Sequence, residues 1–393
     1  MRPPSKATVL LLTAGCFLAF LVFGATDNLK GPTLPALLEE LHFGYGTGAN
    51  ILFSLYIGFV IATLVTGVLA DRFGLKMVML LAGVFMFAGV TGYSLFSTPL
   101  LLSASLFTVG LGLGALEVGP NSIIVALHPA RKGLYLNLMS VMHGLGSMLA
   151  PLLAGALLSA QVSWRSIYRW DLVLVAAFTL YFLAVRFPPL RDEALGQVRL
   201  QEIPRFAFRG TLPWFYLAIA AYVAVEVGMA SWLVTYLQQV QAYSIPASSR
   251  ALSLFFGMMM LGRFLGGFVV HRLGYLRSVL LASLAALICL GLGLFGPPSL
   301  AFLLSLTAFF FSIIFPTLTA AVSDAHHQHG STILGVLFTF AGLGGLAGPW
   351  LVGWGSALWG LHPGFSINLL LAVLLTASLV VLNKGPKHEE KTT

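Results

Sequence analysis

Three acidic residues, Asp27, Glu117 and Glu226, sit inside long apolar stretches reading FLVFGATDNLKG, GLGLGALEVGPN and YVAVEVGMASW. A carboxylate at membrane depth is unfavourable, so where one is kept it usually lines a cavity or an ion path and can bind a proton or a cation. The chain places three of its 13 Asp and Glu this way, although it has 393 residues over which to spread them. Asp27 and Glu226 are 199 positions apart, and Asn121 follows Glu117 by four, which puts both on one helix face. Two carboxyls sharing a cavity resist ionising together. An acid held in that balance can be loaded with a proton from one side of a membrane and emptied to the other.

The elements that must position these acids are membrane helices. Hydrophobic residues make up 58% of the chain and charged residues 9%, against about 25% charged in soluble domains. The mean hydropathy is +0.93, so the bilayer is the solvent for most of the chain. Segments of roughly 20 apolar residues span a bilayer. Twelve qualify, at about 7–28, 47–70, 75–97, 99–127, 132–159, 168–187, 211–237, 249–271, 275–296, 298–323, 330–357 and 361–383. The runs are continuously apolar and do not alternate, which excludes a transmembrane barrel. The basic N-terminus followed by an apolar run resembles a signal peptide, but the run is long and lacks a small-x-small cleavage site, so it reads as a retained first helix.

With the N-terminus inside, 17 of the 21 Lys and Arg fall on the cytoplasmic side, Arg263 and Arg272 among them. Lys30, Arg165, Arg169 and Arg250 fall outside. The positive-inside rule then puts both termini in the cytoplasm of a plasma (inner) membrane. The net charge of +8 is no nucleic-acid signal, because no basic patch is interleaved with aromatics. Cys16 and Cys289 lie in apolar runs and read as inert thiols. Asp324-Ala-His326-His327-Gln-His329 reads as a surface loop, with no metal site expected. No phosphate-cradling loop is present, so the chain reads as neither an enzyme nor an ATP-driven pump, with no cofactor beyond a coupling proton or sodium ion.

The chain repeats itself. Gly67-Val-Leu-Ala-Asp71-Arg72-Phe-Gly74 recurs as Gly267-Phe-Val-Val-His271-Arg272-Leu-Gly274, and Gly144-Leu-Gly146-Ser-Met-Leu-Ala-Pro151 as Gly342-Leu-Gly344-Gly-Leu-Ala-Gly-Pro349. Offsets of 200 and 198 predict an all-α membrane protein of two pseudo-symmetric six-helix halves, 1–187 and 211–393, joined by a polar cytoplasmic linker at 188–210. Parallel repeats of this kind build transporters with a substrate site between the halves near the midplane. Asp27 and Glu226 would then occupy equivalent points of the two halves.

The stretch Gly67 to Lys76, GVLADRFGLK, resembles the signature between helices 2 and 3 of the major facilitator superfamily. The resemblance implies a cytoplasmic gate in which Gly67 allows close packing, Asp71 sits near a helix N-terminus, Arg72 and Lys76 supply partners, Gly74 turns the chain, and Arg272 is the repeat's counterpart. A closer resemblance is to the superfamily's fucose:proton symporter group. It is carried by Gly112-Leu-Gly114-Ala-Leu-Glu117-Val-Gly-Pro-Asn121, Leu136-Asn137-Leu138, Tyr222 to Glu226 through Trp232 with Gly262-Arg263, and Ser312-Ile-Ile-Phe-Pro316-Thr317.

That resemblance implies a monomeric carrier that imports a monosaccharide with a proton by alternating access. Glu117 or Asp27 would carry the proton, and Glu226 and Asn121 would bind substrate hydroxyls. Tyr56, Asn137, Ser140, His143, Trp232, Tyr236 and Gln238 are the other candidate lining residues, with packing as the alternative role for the aromatics and His143. The group's helix-1 acid falls at Gly31 here, one turn after Asp27. A sugar carrier of the group has amides where this chain has Glu226 and Ser140. Sodium coupling, an efflux antiporter for amphipathic compounds, and a non-transporting sensor are the other readings.

Overall fold

The computed structural model describes residues 5–187, 208–325 and 330–384. The predicted linker therefore lies outside the described residues up to 207, as do His326, His327 and His329. Among the described residues, twelve helices are long and apolar enough to cross a bilayer: α1 Lys6–Glu40, α2 Tyr45–Phe73, α3 Leu75–Leu95, α4 Pro99–Leu127, α5 Pro129–Ser159, α6 Trp164–Ala184, α7 Leu212–Gln239, α8 Ile245–Leu273, α9 Tyr275–Phe295, α10 Pro298–Ala325, α11 Ile333–Trp359 and α12 Leu361–Lys384. Side chains such as Leu64, Leu100, Phe264 and Phe268 present bare apolar surface, as expected where lipid replaces water.

Two departures from the predicted spans matter for the site. The first helix does not stop near residue 28. It comprises Lys6–Asn28 and Lys30–Glu40, with Leu29 between them. Pro32 has no N–H to give the Asn28 carbonyl, so the ladder breaks there and restarts with Pro in its first turn, where the missing donor is tolerated. Lys30, expected in an outer loop, is thus inside the span and 3% exposed. Arg263, expected among the cytoplasmic cations, lies ten residues before the end of α8. Removing one residue from each set leaves the charge asymmetry intact. The second departure is α6, which starts at Trp164 and not near 168, capped by the Ser163 hydroxyl. Asp171 is therefore two turns inside the helix.

The internal repeat is visible in the local geometry. The helices α2 and α8 are each 29 residues, α3 and α9 each 21, and the second of each pair starts 200 positions after the first. Gly74 and Gly274 close α2 and α8 at φ +82° and +79°, with ψ 157° and 167°. This region is open to glycine alone. His42 and Ala242, also 200 apart, have φ 53° and 54°. Gly74→Ala is expected to cost about 1–3 kcal/mol, read as a lower unfolding midpoint in detergent.

The chain packs as two compact units. The first holds α1–α6 together with Ala230–Gly257 and Pro349–Phe365. In it α2 and α3 pack on α4, α1 on α5, and α3 on α6. Gly146 of α5 touches the Leu21 carbonyl of α1 so closely that no side chain fits. The same unit binds the ends of α7, α8 and α11. Asn50 Oδ1 accepts from the indoles of Trp350 and Trp354 at 3.2 and 3.0 Å. Ser253 donates to the Met148 carbonyl at 2.7 Å.

Of the described residues, the second unit comprises 208–229, 258–325 with 330–348, and 366–384. Within it Gly344 of α11 abuts the Ala220 carbonyl of α7, the repeat-mate of the Gly146–Leu21 crossing. Small residues let helices approach closely in lipid, and here they do so twice at equivalent positions. Gly67 and Gly267 do not: a Cβ at either would meet nothing. The close packing expected at Gly67 is therefore absent. The conserved feature of that loop's geometry in both copies is the turn at Gly74 and Gly274.

Candidate functional site

In the first unit the polar residues gather on α1. Asp27 does not stand alone. The buried Lys30 ammonium donates to Asp27 Oδ1 at 2.5 Å and to the Asp27 carbonyl at 2.6 Å. It also lies 5.5 Å from the centre of the Tyr56 ring, where the ring face attracts a cation. Tyr56 is thus placed beside the acid, as a partner of Lys30. The i, i+3 spacing of Asp27 and Lys30 was legible in the sequence. Assigning every Lys to a loop hid it.

Glu117 sits in the inner part of α4, ten residues before its end, and is half-buried. No hydrogen bond or ion pair of its carboxyl is formed among the described residues. Asn121, half-buried on the same face, turns its amide back to the Glu117 carbonyl at 2.5 Å. Asn121 therefore closes α4's own backbone in this state and leaves the carboxyl free of it.

His143 of α5 lies edge-on to Phe23 and Phe20, with ring centres 4.8 and 6.2 Å away. Its Nδ1 is 3.5 Å from the Ser147 hydroxyl, which in turn accepts from Asn28 at 3.0 Å. This seats the imidazole in an aromatic slot between α1 and α5. Ser140 donates to the Leu136 carbonyl within its own helix, and Asn137 is exposed.

The α7 candidates are placed elsewhere in the unit. Trp232 is fully buried, donates to the Pro349 carbonyl at 2.9 Å and meets Tyr45 edge-on. Tyr236 stacks on Phe365 at 4.3 Å and its hydroxyl pairs with His362 Nδ1 at 3.0 Å. Gln238 donates to Ser248. Each has a packing partner that accounts for it, and none of these partners belongs to the Glu117 or Asp27 groups.

At the predicted gate, Lys76 caps the end of α6 by donating to the carbonyls of Leu183 and Val185 at 3.0 and 2.9 Å. A cation there satisfies orphan carbonyls and the negative end of the helix dipole. Arg72 lies 5.3 Å from the Phe73 ring centre. Asp71 and Arg272 are exposed, and Asp71 forms no ion pair among the described residues.

The sequence reading missed one acid. Asp171 of α6 is 4% exposed, and both its oxygens lie near the Thr26 hydroxyl, at 3.1 and 2.9 Å. Its context, YRWDLVLVAAF, is apolar only on the C-terminal side. Starting the span near 168 left it in a terminal turn.

In the second unit, the half-buried Glu226 of α7 interacts with the buried Tyr222, one turn earlier, which also interacts with the exposed Arg263 of α8. Each unit therefore keeps an acid of α1 or α7 near a cation of its own helices: Asp27 paired with Lys30, Glu226 sharing Tyr222 with Arg263.

Comparison with known proteins gives the same fold and names its family. The profile of the Major Facilitator Superfamily matches residues 16–345. A glucose/galactose transporter of Brucella abortus biovar 1 is 23% identical over 373 residues, covering 90% of this chain and 89% of its own. The L-fucose-proton symporter of Escherichia coli is 23% identical over 352 residues, covering 80% of each chain. The crystal structure of a variant of the nucleoside transporter NupG matches with a TM-score of 0.83 at 15% identity, over 96% of this chain and 100% of that one. A helix 4 carrying Glu117 and Asn121, a repeated helix 2–3 turn and twelve apolar spans thus belong together: the chain is a member of the Major Facilitator Superfamily, and within it resembles the fucose:proton symporter group.

Proposed function

We propose that this carrier imports a small polar solute, foremost a monosaccharide, together with a proton, by alternating access. It would act as a monomer in the inner membrane, with both termini in the cytoplasm. The observation that carries the reading is the Glu117 carboxyl, half-buried and without a countercharge among the described residues, one turn from the amide of Asn121. An acid in that setting is stable neutral and becomes charged when the cavity wets, which is what proton loading and unloading require. Asp27 is less suited, because protonating it would strand the buried Lys30 ammonium. Glu226, Asn121 and His143 are the groups assigned to substrate hydroxyls. The sugar class is supported by the printed names of two relatives, the glucose/galactose transporter and the fucose-proton symporter. Asp71, exposed and without an ion pair among the described residues, fits a released cytoplasmic latch.

The test is uptake into proteoliposomes with an imposed proton or sodium gradient and a panel of hexoses and nucleosides. A proton moved through 100 mV supplies about 2.3 kcal/mol, roughly a 50-fold accumulation. Glu117→Gln is expected to reduce accumulation to about onefold while substrate exchange continues, since the amide keeps the shape and loses the proton. Undiminished uphill uptake by Glu117→Gln would sink the coupling role. Accumulation driven by sodium alone would replace the proton, and transport of nucleosides without hexoses would replace the sugar.

A further inference from the structure

At the end of the first unit away from the chain termini, helices of the two halves meet along two seams. The first turns of α2 meet the last turns of α11, and the last turns of α5 meet the first turns of α8. The seams repeat each other. No side chain fits at Gly353 of α11 against the Ala49 Cβ of α2, and none at Gly155 of α5 against the Ser249 Cβ of α8. Gly353 and Gly155 are 198 positions apart, and Ser249 and Ala49 are 200 apart. Ala49 and Ser249 are 0% and 1% exposed, so each seam is a tight contact of small residues.

The polar groups beside the two contacts differ. On the α2–α11 seam, Asn50 Oδ1 accepts from the indoles of Trp350 and Trp354 at 3.2 and 3.0 Å. An indole can only donate, and an amide oxygen has two lone pairs, so this acceptor is filled by the two tryptophans. Phe53 lies 5.9 Å from the Trp350 ring centre. On the α5–α8 seam the repeat places Leu152 and Ala156 where the tryptophans would be, and Arg250 in place of Asn50. Arg250 donates to the Pro246 carbonyl of its own helix, and the Leu152 side chain is 40% exposed. That seam has instead the bond from Ser253 to the Met148 carbonyl.

We propose that Asn50, Trp350 and Trp354 form a latch on one seam that holds both seams shut, closing the outer mouth of the carrier in the state seen here. The proposal rests on the alternating-access reading above. Asn50 and Trp354 are exposed beside the buried Ala49. Water can therefore take over the acceptor and both donors as the seam parts, which keeps the net worth of each bond small. A closure that must release in every cycle needs bonds of that kind. The small-residue contacts beneath fix how near the helices come, and the latch sets how long they stay.

The test is thiol labelling of the full chain in lipid nanodiscs with a hydrophilic maleimide, which reaches both faces. The Ser249 hydroxyl has no hydrogen-bond partner among the described residues, so Ser249→Cys places a buried reporter in the unlatched seam at the loss of no bond. Each variant without Ser249→Cys is its own blank for Cys16 and Cys289. Asn50→Leu keeps much of the volume and removes the acceptor, and is expected to raise the labelling rate on the order of tenfold, as two modest hydrogen bonds allow. Asn50→Asp keeps an oxygen for both indoles and is expected to label no faster than the parent. Trp350→Phe/Trp354→Phe removes the donors and is expected to match Asn50→Leu, and it decides if Asn50→Leu fails to fold. A labelling rate unchanged by loss of the acceptor or of the donors overturns the proposal. So does an equal rise in Asn50→Leu and Asn50→Asp, which would make bulk at position 50 the cause. No solute or ion gradient enters the measurement, so failure of the sugar or proton reading leaves it untouched.

Discussion

Lys30→Met is expected to destabilise the carrier by about 3–5 kcal/mol, the usual consequence of removing one partner of a buried ion pair. Lys30 is 3% exposed, and its ammonium donates to two oxygens of Asp27, one from the carboxyl and one from the backbone. Methionine fills much of the same volume, so packing over Tyr56 is largely kept and the loss isolates the charge. What remains is an Asp27 side chain 20% exposed, with neither countercharge nor enough water to replace it. The measurement is the unfolding midpoint of the purified chain in detergent, with uptake followed in parallel.

The double variant Asp27→Asn/Lys30→Met separates this cause from a general intolerance of substitution. Removing both charges together leaves no stranded ion, and replacing buried pairs by uncharged groups is often neutral or stabilising. Most of the lost stability is therefore expected to return in the double variant, with a coupling energy well above the about 0.5 kcal/mol seen for independent sites. A Lys30→Met chain as stable as the wild type would mean that the pair contributes little to stability.

What was legible in the sequence and what was not divides along a physical line. The twelve spans could be read because lipid demands long, continuously apolar segments, and any chain must announce them. The repeat could be read because equivalent backbone geometry needs equivalent residues. Gly74 and Gly274 stand where φ is positive, and Gly146 and Gly344 where two helices touch through backbone. The partners of the charges were hidden because they depend on depth, which hydropathy reads poorly at span ends. Lys30 reads as a loop residue because the apolar run ends at the helix break. Asp171 reads as a terminal residue because the apolar run of the sixth span begins a turn after the helix does. Arg263 reads as cytoplasmic because the positive-inside rule sorts cations by segment and does not detect those inside one. Glu117 was found because it lies far from any boundary, in the inner part of a 29-residue helix. The packing roles of Trp232 and Tyr236 were not legible either: an aromatic's partner is chosen by tertiary contact, here Pro349, His362 and Phe365.

Gly31→Asp tests whether the helix-1 acid of the related symporters could simply be restored one turn along. It is expected to abolish most uptake. A Cβ at position 31 would lie 2.6 Å from Leu252 Cδ2 and 2.7 Å from the Ala230 carbonyl oxygen. The leucine tip can swing away, but the carbonyl belongs to a helix backbone and cannot. Overpacking of this kind costs about 1–3 kcal/mol, which weights the population against the arrangement seen here by roughly 5- to 150-fold. Gly31→Ala carries the same Cβ without the charge. It is expected to show most of the defect, measured as initial uptake rate per carrier in the membrane. If Gly31→Ala transports like the wild type, the contact is not limiting and only the carboxylate's burial would remain to explain a loss in Gly31→Asp. If both fail, the position of the acid in this chain follows from packing: with glycine required where α1 meets the backbone of α7, the acid can stand only a turn earlier, at Asp27, and there it takes Lys30 as its partner.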